Sequence, residues 1–284
     1  MNKTPAVWII SDIHVDLWAA QGWRHELPEV QDFWDPDRAN VYLILGDSLN
    51  GIHRANEKSQ EWLLTVCERL SRYGHVYFVI GNHECYRGVF EDSAWRFENL
   101  LGHCARVIHM AETFLHGDTA FILATNWPRM SAGDYLMHQT DLPAFMTERE
   151  DLALPMTASD MELLGEVSAE SMINAAGRLK AVDHIAKNLV VGTHFATVEN
   201  PSQRAIYPSI NPYFDPPINH EFLNECFNFH AKTGGELIWC YGHSHINDET
   251  ESTYGGRIVT NQIGYLREAT KRGLTNPFQM KRVL

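Results

Sequence analysis

The chain has 284 residues, 44% of them hydrophobic and 21% charged, an ordinary balance for a globular protein with a sizeable core. Its formal net charge of −13 and the lack of any Lys/Arg-rich run disfavour nucleic acid as a partner, because holding that backbone relies on basic side chains displacing counterions. No apolar stretch is long enough to span a bilayer, so no membrane partner is expected.

The N-terminus, "MNKTPAVWIISD", lacks a signal-peptide layout, because its short apolar run leads straight into Asp12 and His14. The first strand is expected in "VWIISDIH" (7–14) and the second in "VYLILGD" (41–47). Residues 57–73 follow as a helix, with Trp62, Leu63, Val66, Cys67 and Leu70 on one face. A third strand, "VYFVIGNH" (76–83), completes a strand–helix–strand unit, so part of the sheet is expected to be parallel. Further strands fall at 106–110 and 119–125. The stretch 126–158 shows little periodicity and reads as an insertion near one end of the sheet, a candidate lid. Residues 159–188 read as a helix opened by a Ser159/Glu162 capping box. A strand "LVVGTH" (189–194), a helix over 219–233 closed by Gly234, a strand "LIWCYGHSH" (237–245) and a last strand at 256–261 end the pass. One domain over 1–284 is expected. The five cysteines are scattered without a C-x-x-C pair, which points to a reducing, cytoplasmic setting.

In open α/β sheets, ligands bind beyond the carboxyl ends of the strands. The five longest apolar runs deliver there Asp12 and His14, then Asp47, then Asn82 and His83, then His194, and finally His243 with His245. Each fragment alone is no more than a turn or surface signal. Together they form a set of oxygen and imidazole donors without thiolate, suited to Mn²⁺, Fe or Zn²⁺.

The ordered set D-x-H, G-D, G-N-H-E, a lone T-H and G-H-x-H resembles the calcineurin-like metallophosphoesterases, from Val7 to about Arg267. The tail, in which G-H-S-H is followed by a strand and an Asn-x-x-Gly-Tyr segment, is similar to a bacterial branch of that superfamily. The resemblance implies an α/β fold in which two mixed β-sheets pack as a sandwich flanked by helices, in four αββα layers. It implies two divalent ions, Mn²⁺ first, with Fe, Zn²⁺ or Ni²⁺ compatible. Asp12, His14, Asp47 and His245 would hold one ion, and Asp47, Asn82, His194 and His243 the other. It implies hydrolysis of a small phosphomonoester or phosphodiester by a hydroxide bridging two ions about 3.5–4 Å apart, with His83 as general acid. Two carboxylates, Asp12 and Asp47, offset only half the charge of two divalent ions, which leaves the centre attractive to an anionic ester. Asn50 and Arg87 are candidate substrate contacts.

The sequence departs from its relatives at "GDSLN", where many carry G-D-x-x-D with a carboxylate that orients the catalytic histidine; here Asn50 takes that place. A weaker general acid and a preference for good leaving groups follow. Phe195 stands after His194 where the similar branch often repeats His. Three alternatives remain beside a small-ester hydrolase. One is an inactive binding scaffold, which the full set of donors argues against. A protein phosphatase is disfavoured by the absent G-D-x-x-D-R-G form, and a nuclease by the acidic charge.

Overall fold

The computed structural model describes residues 3–138, 142–143, 145–149, 152–202 and 219–284. Strands β1 (Ala6–Ile10), β2 (Asn40–Leu45), β3 (Gly74–Val79) and β4 (Arg106–Ile108) run parallel, with β13 (Lys281–Arg282) antiparallel on the far side of β1. A second sheet takes the order β11 (Glu249–Glu251), β12 (Arg257–Val259), β10 (Leu237–Tyr241), β9 (Asn188–Thr193), β6 (Thr119–Ala124) and β5 (Glu112–His116). Its four inner strands are parallel and its two edge strands antiparallel. Both sheets are mixed, as expected.

Strand side chains alternate between faces, which sorts the apolar runs into layers. Val41, Leu43 and Leu45 point between the sheets and meet Phe121, Leu123, Val190 and Ile238 in a dry central core. Tyr42 and Ile44 face outward and pack with Phe78 under the helices Glu57–Ser71 and Phe90–Leu101. On the other side Ile122, Val191 and Trp239 pack under the helices Ala158–Gly177 and His220–Thr233. Strands apolar on both faces are what a four-layer helix–sheet–sheet–helix stack requires. No helix among the described residues is long and apolar enough to cross a membrane.

Several boundaries differ from expectation. The helix read as 159–188 starts one residue earlier and stops at Gly177, followed by a short 3-10 turn over Arg178–Ala181. Its capping box is Thr157 with Asp160, not Ser159 with Glu162. Thr157 Oγ1 accepts from the Asp160 amide at 3.3 Å, and Asp160 Oδ2 accepts from the Thr157 amide at 2.8 Å. Ser159 fails because its backbone is already helical, whereas the extended Thr157, at φ −114°, leaves its hydroxyl beside the open N–H groups. The insertion holds a helix at Ala132–His138 and a hairpin of Phe145–Arg149 with Leu152–Pro155; the rest of that expected lid lies outside the described residues. The helix at 90–101 and strands β5, β11 and β13 had not been anticipated. Thr157→Ala is expected to lower stability by about 1 kcal/mol and Ser159→Ala by less than about 0.5 kcal/mol, read as urea midpoints at unchanged slope.

Candidate metal centre

Parallel strands in both sheets end at the same place, so five separate loops converge. Asp12 and His14 follow β1, Asp47 follows β2, and Asn82 with His83 follow β3; the second sheet adds His194 after β9 and His243 with His245 after β10. Asp12, His14, Asp47, Asn82 and His194 are buried to within 1% of full burial. Five of these residues hold left-handed backbones: Asp12 (φ 55°), His14 (45°), Asp47 (54°), His243 (73°) and His245 (56°). Each such conformation costs about 1–3 kcal/mol for a residue with a Cβ and survives only where the surroundings impose it. Loop-to-loop backbone bonds do so, including Asp12 N–H to Gly46 O at 2.9 Å, His14 N–H to Asp47 O at 2.9 Å and Gly242 N–H to His194 O at 3.0 Å. Gly242 allows the approach: a Cβ there would lie 2.8 Å from Asp12 Oδ2 and 2.9 Å from Leu45 O.

The donor atoms fall into overlapping groups, Asp12–His14–His245 and Asp47–His194–His243 among them, whose members lie within 4.8 Å of one another. Hydrogen bonds account for part of that closeness. His194 gives its Nδ1 hydrogen to Leu45 O at 2.9 Å, so its Nε2 carries a lone pair. That lone pair points at Asn82 Oδ1 at 2.8 Å and Asp47 Oδ1 at 3.3 Å, both acceptors. Burial and neighbouring imidazoles hold His14 and His243 well below the usual histidine pKa, so both rings are neutral. His14 Nε2 stands 3.1 Å from His245 Nε2, and its Nδ1 is buried without a partner. Donors gathered this closely could hold cations, and the all-oxygen-and-imidazole set fits first-row divalent ions.

His245 behaves differently. Burial pulls its pKa down, but hydrogen bonds to Asp12 and Glu268 outweigh that and raise it to about 10. A proton on His245 thereby balances part of the negative charge of Asp12 and Glu268. Glu268 Oε2 accepts from His245 Nδ1 at 2.7 Å, which aims Nε2 at Asp12 Oδ1, 3.4 Å away. Ser244 turns the other way, onto Gln262 at 3.2–3.3 Å. Glu84 is fully buried and accepts four backbone N–H groups: Gly81 at 2.7 Å, Asp47 at 2.8 Å, Ser48 at 2.6 Å and Leu49 at 3.1 Å. Neither Glu84 nor Glu268 was singled out from sequence; only the E of G-N-H-E hinted at the first.

His83 stands at the edge with 12% of its side chain exposed, its Nε2 3.9 Å from Asp47 Oδ2 and its amide bonded to Asp47 Oδ1 at 2.9 Å. Burial, then the nearby His194 and His245, push its pKa down to about 3. Its Nδ1 meets Asn50 Oδ1. Asn50 uses both ends of its amide on the protein, the other on Asp16, so it stands behind His83 and is 8% exposed. Arg87 is exposed, with its guanidinium 5.2 Å over the Tyr86 ring, itself stacked on His83 at 5.4 Å. Phe195 packs on the His243 ring at 4.5 Å. Cys85 is a core residue whose thiol burial pushes up to about 12, unlike a nucleophile. Arg129 pairs with Glu162 and Glu166 on the surface, and Trp127 is buried against Phe195.

A sandwich that gathers such donors at its strand ends is the scaffold of a metal-dependent phosphoester hydrolase. Residues 5–247 match the family model of the calcineurin-like phosphoesterases (Metallophos), and the chain belongs to that family, whose members depend on a pair of metal ions. Among solved structures it is similar to the phosphopantetheinyl hydrolase PptH of Mycobacterium tuberculosis, at 16% identity and a TM-score of 0.60, covering 100% of this chain and 97% of that one. It is also similar to a dimetal phosphatase of Danio rerio, at 15% identity and a TM-score of 0.49, covering 92% and 88%. At 16% identity the likeness to PptH shows the fold. Comparison with curated proteins finds no match.

Glu84→Gln would replace two acceptor sites by N–H groups facing backbone N–H. It is expected to lower stability by about 2–3 kcal/mol and to weaken divalent-metal binding, read by denaturant melts and by metal titration.

Proposed function

We propose that this chain hydrolyses a small phosphoester, mono- or diester, in the cytoplasm, using two divalent cations of which manganese is the first choice. Asp12, His14 and His245 would hold one ion and Asn82, His194 and His243 the other, with Asp47 shared. The observation that carries the reading is the convergence around His194 Nε2, which faces Asn82 Oδ1 at 2.8 Å and Asp47 Oδ1 at 3.3 Å while its Nδ1 is held by Leu45 O. Bound there, divalent cations supply positive charge for the phosphoryl oxygens and lower the pKa of water.

His83 is the acid for the leaving oxygen in this reading. An imidazolium with so depressed a pKa gives its proton up readily, and the charge of an anionic ester helps it to acquire one. Arg87 contacts an anionic oxygen of the ester at the rim. Residues 1–284 act as one domain, with the insertion 126–158 as a wall or lid. Two contacts support that role: Pro143 bridges to Tyr86 beside His83, and His138 lies close enough for its charge to act on His243.

With Mn²⁺, turnover of p-nitrophenyl phosphate or bis-p-nitrophenyl phosphate is expected, abolished by chelator and reduced at least about a hundredfold in Asp47→Asn. No turnover by protein loaded with two ions would leave the scaffold reading. Metal uptake must also displace the His245 proton, which is held up to about pH 10. Below that pH, uptake of the ion at His245 would release that proton, so its affinity should rise with pH. Calorimetry at pH 8 in two buffers of different ionisation heat should give at least about one proton released per chain.

A further inference from the structure

The amide at position 50 has two unlike ends, and only one can serve His83. Oδ1 accepts and Nδ2 donates. Turned one way, Asn50 takes a hydrogen from His83 Nδ1 and leaves Nε2 to deal with the ester; turned the other way, its NH₂ needs a lone pair on Nδ1 and forces the wrong tautomer. A carboxylate at this place would have no wrong way round.

The orientation is imposed from outside. Asp16, in the short helix Val15–Ala20, accepts from Asn50 Nδ2 at 3.2 Å through Oδ2, and from the Asn50 backbone N–H at 3.3 Å through Oδ1. Both Asp16 oxygens accept from N–H groups of Asn50, so the NH₂ end faces Asp16 and the oxygen faces His83. Asn50 is 8% exposed, which leaves little water to compensate a reversed amide.

We propose that Asp16 is a positioning residue for His83 and acts through Asn50: the pair Asp16–Asn50 does together what one carboxylate at position 50 would do alone. The proposal rests on the reading of His83 as the acid. It implies that the histidine keeps the correct tautomer despite the amide, so Asn50 alone does not impose a weak acid.

The test uses the metal-loaded protein and two monoesters, one with an alkyl leaving group that needs a proton and p-nitrophenyl phosphate, whose leaving group does not. His83→Gln should lower kcat on the alkyl ester by about a hundredfold or more, and on the nitrophenyl ester by at least about tenfold less than that. Asp16→Ala should lower kcat on the alkyl ester by about tenfold or more, within the His83→Gln loss, with KM changed less than about twofold and both ions retained. Adding Asn50→Asp to Asp16→Ala should restore kcat to within about threefold of wild type. Asp16→Asn, which keeps an acceptor oxygen, should lose less than about threefold. Independently of turnover, ¹⁵N shifts of the zinc-loaded protein should place the His83 hydrogen on Nδ1 in the wild type and spread it over both nitrogens in Asp16→Ala.

Equal losses on both esters, no loss in Asp16→Ala, no rescue by Asn50→Asp, or an unchanged tautomer would each overturn the proposal. A leaving-group-selective loss in His83→Gln beside an unaffected Asp16→Ala overturns the positioning role and leaves the acid in place. A non-selective His83→Gln removes the acid and the proposal with it.

Discussion

The centre depends on one buried carboxylate. Glu84 gathers backbone N–H groups from the loop after β2 (Asp47, Ser48, Leu49) and from the loop after β3 (Gly81). Those loops carry Asp47, Asn82 and His83, so a single side chain fixes the relative positions of three functional residues. Burial pushes its carboxyl up to about 7, against the four N–H groups that pull the other way. A buried carboxylate is tolerable only when its acceptor sites are filled, and here all four donors are backbone groups that would otherwise be orphaned in two tight turns. Glycine makes room for it: a Cβ on Gly81 would lie 2.3 Å from Asp47 Oδ1 and 2.9 Å from Glu84 Oε2.

This scaffolding explains how the molecule sustains a region that opposes its own folding. Left-handed backbones at Asp12, His14, Asp47, His243 and His245 bring strain, and buried imidazoles crowd together. The charges of the site are balanced unevenly. Asp12 stays ionised against a protonated His245, with a pKa drawn below the usual range although burial opposes it. Asp47 is driven the other way by burial and by the charges of Asp12 and Glu84. In the proposed reading a pair of cations would address both halves at once, giving Asp47 a counter-charge and taking over from the His245 proton. Metal binding would then be coupled to folding, as in other sites whose ligands must shed protons.

Much of this was legible in the chain. Apolar runs ending in a small residue and a donor mark the parallel strands, and the donors' shared position follows from strand direction alone. What escaped the sequence falls into two kinds. Glu84 and Glu268 act on backbone amides or on the far nitrogen of a ring, contacts that leave no spacing signature; Glu268 lies 23 residues beyond His245. Asp16 likewise reaches Asn50 across 34 residues. Short edge strands such as β11 and β13 and the Thr157 cap depend on tertiary pairing or on one residue's backbone angle, which overrides local pattern. The Ser159/Glu162 pair had the right residue types and the wrong φ.

Position 50 shows how the two levels of reading differ. By residue type, an amide where relatives place a carboxylate looks like a loss, since it brings no charge to the histidine. By geometry, the amide extends a chain of hydrogen bonds by one link, and the carboxylate reappears at its end on Asp16. The exchange is not neutral, because an amide has direction and a carboxylate has none; the chain must therefore hold a second residue in register to keep the first one facing the right way. Asp16 is suited to that task by its place two residues beyond His14, on the short helix that the left-handed His14 starts. The same backbone turn that delivers one imidazole to the centre thus sets the residue that orients the other.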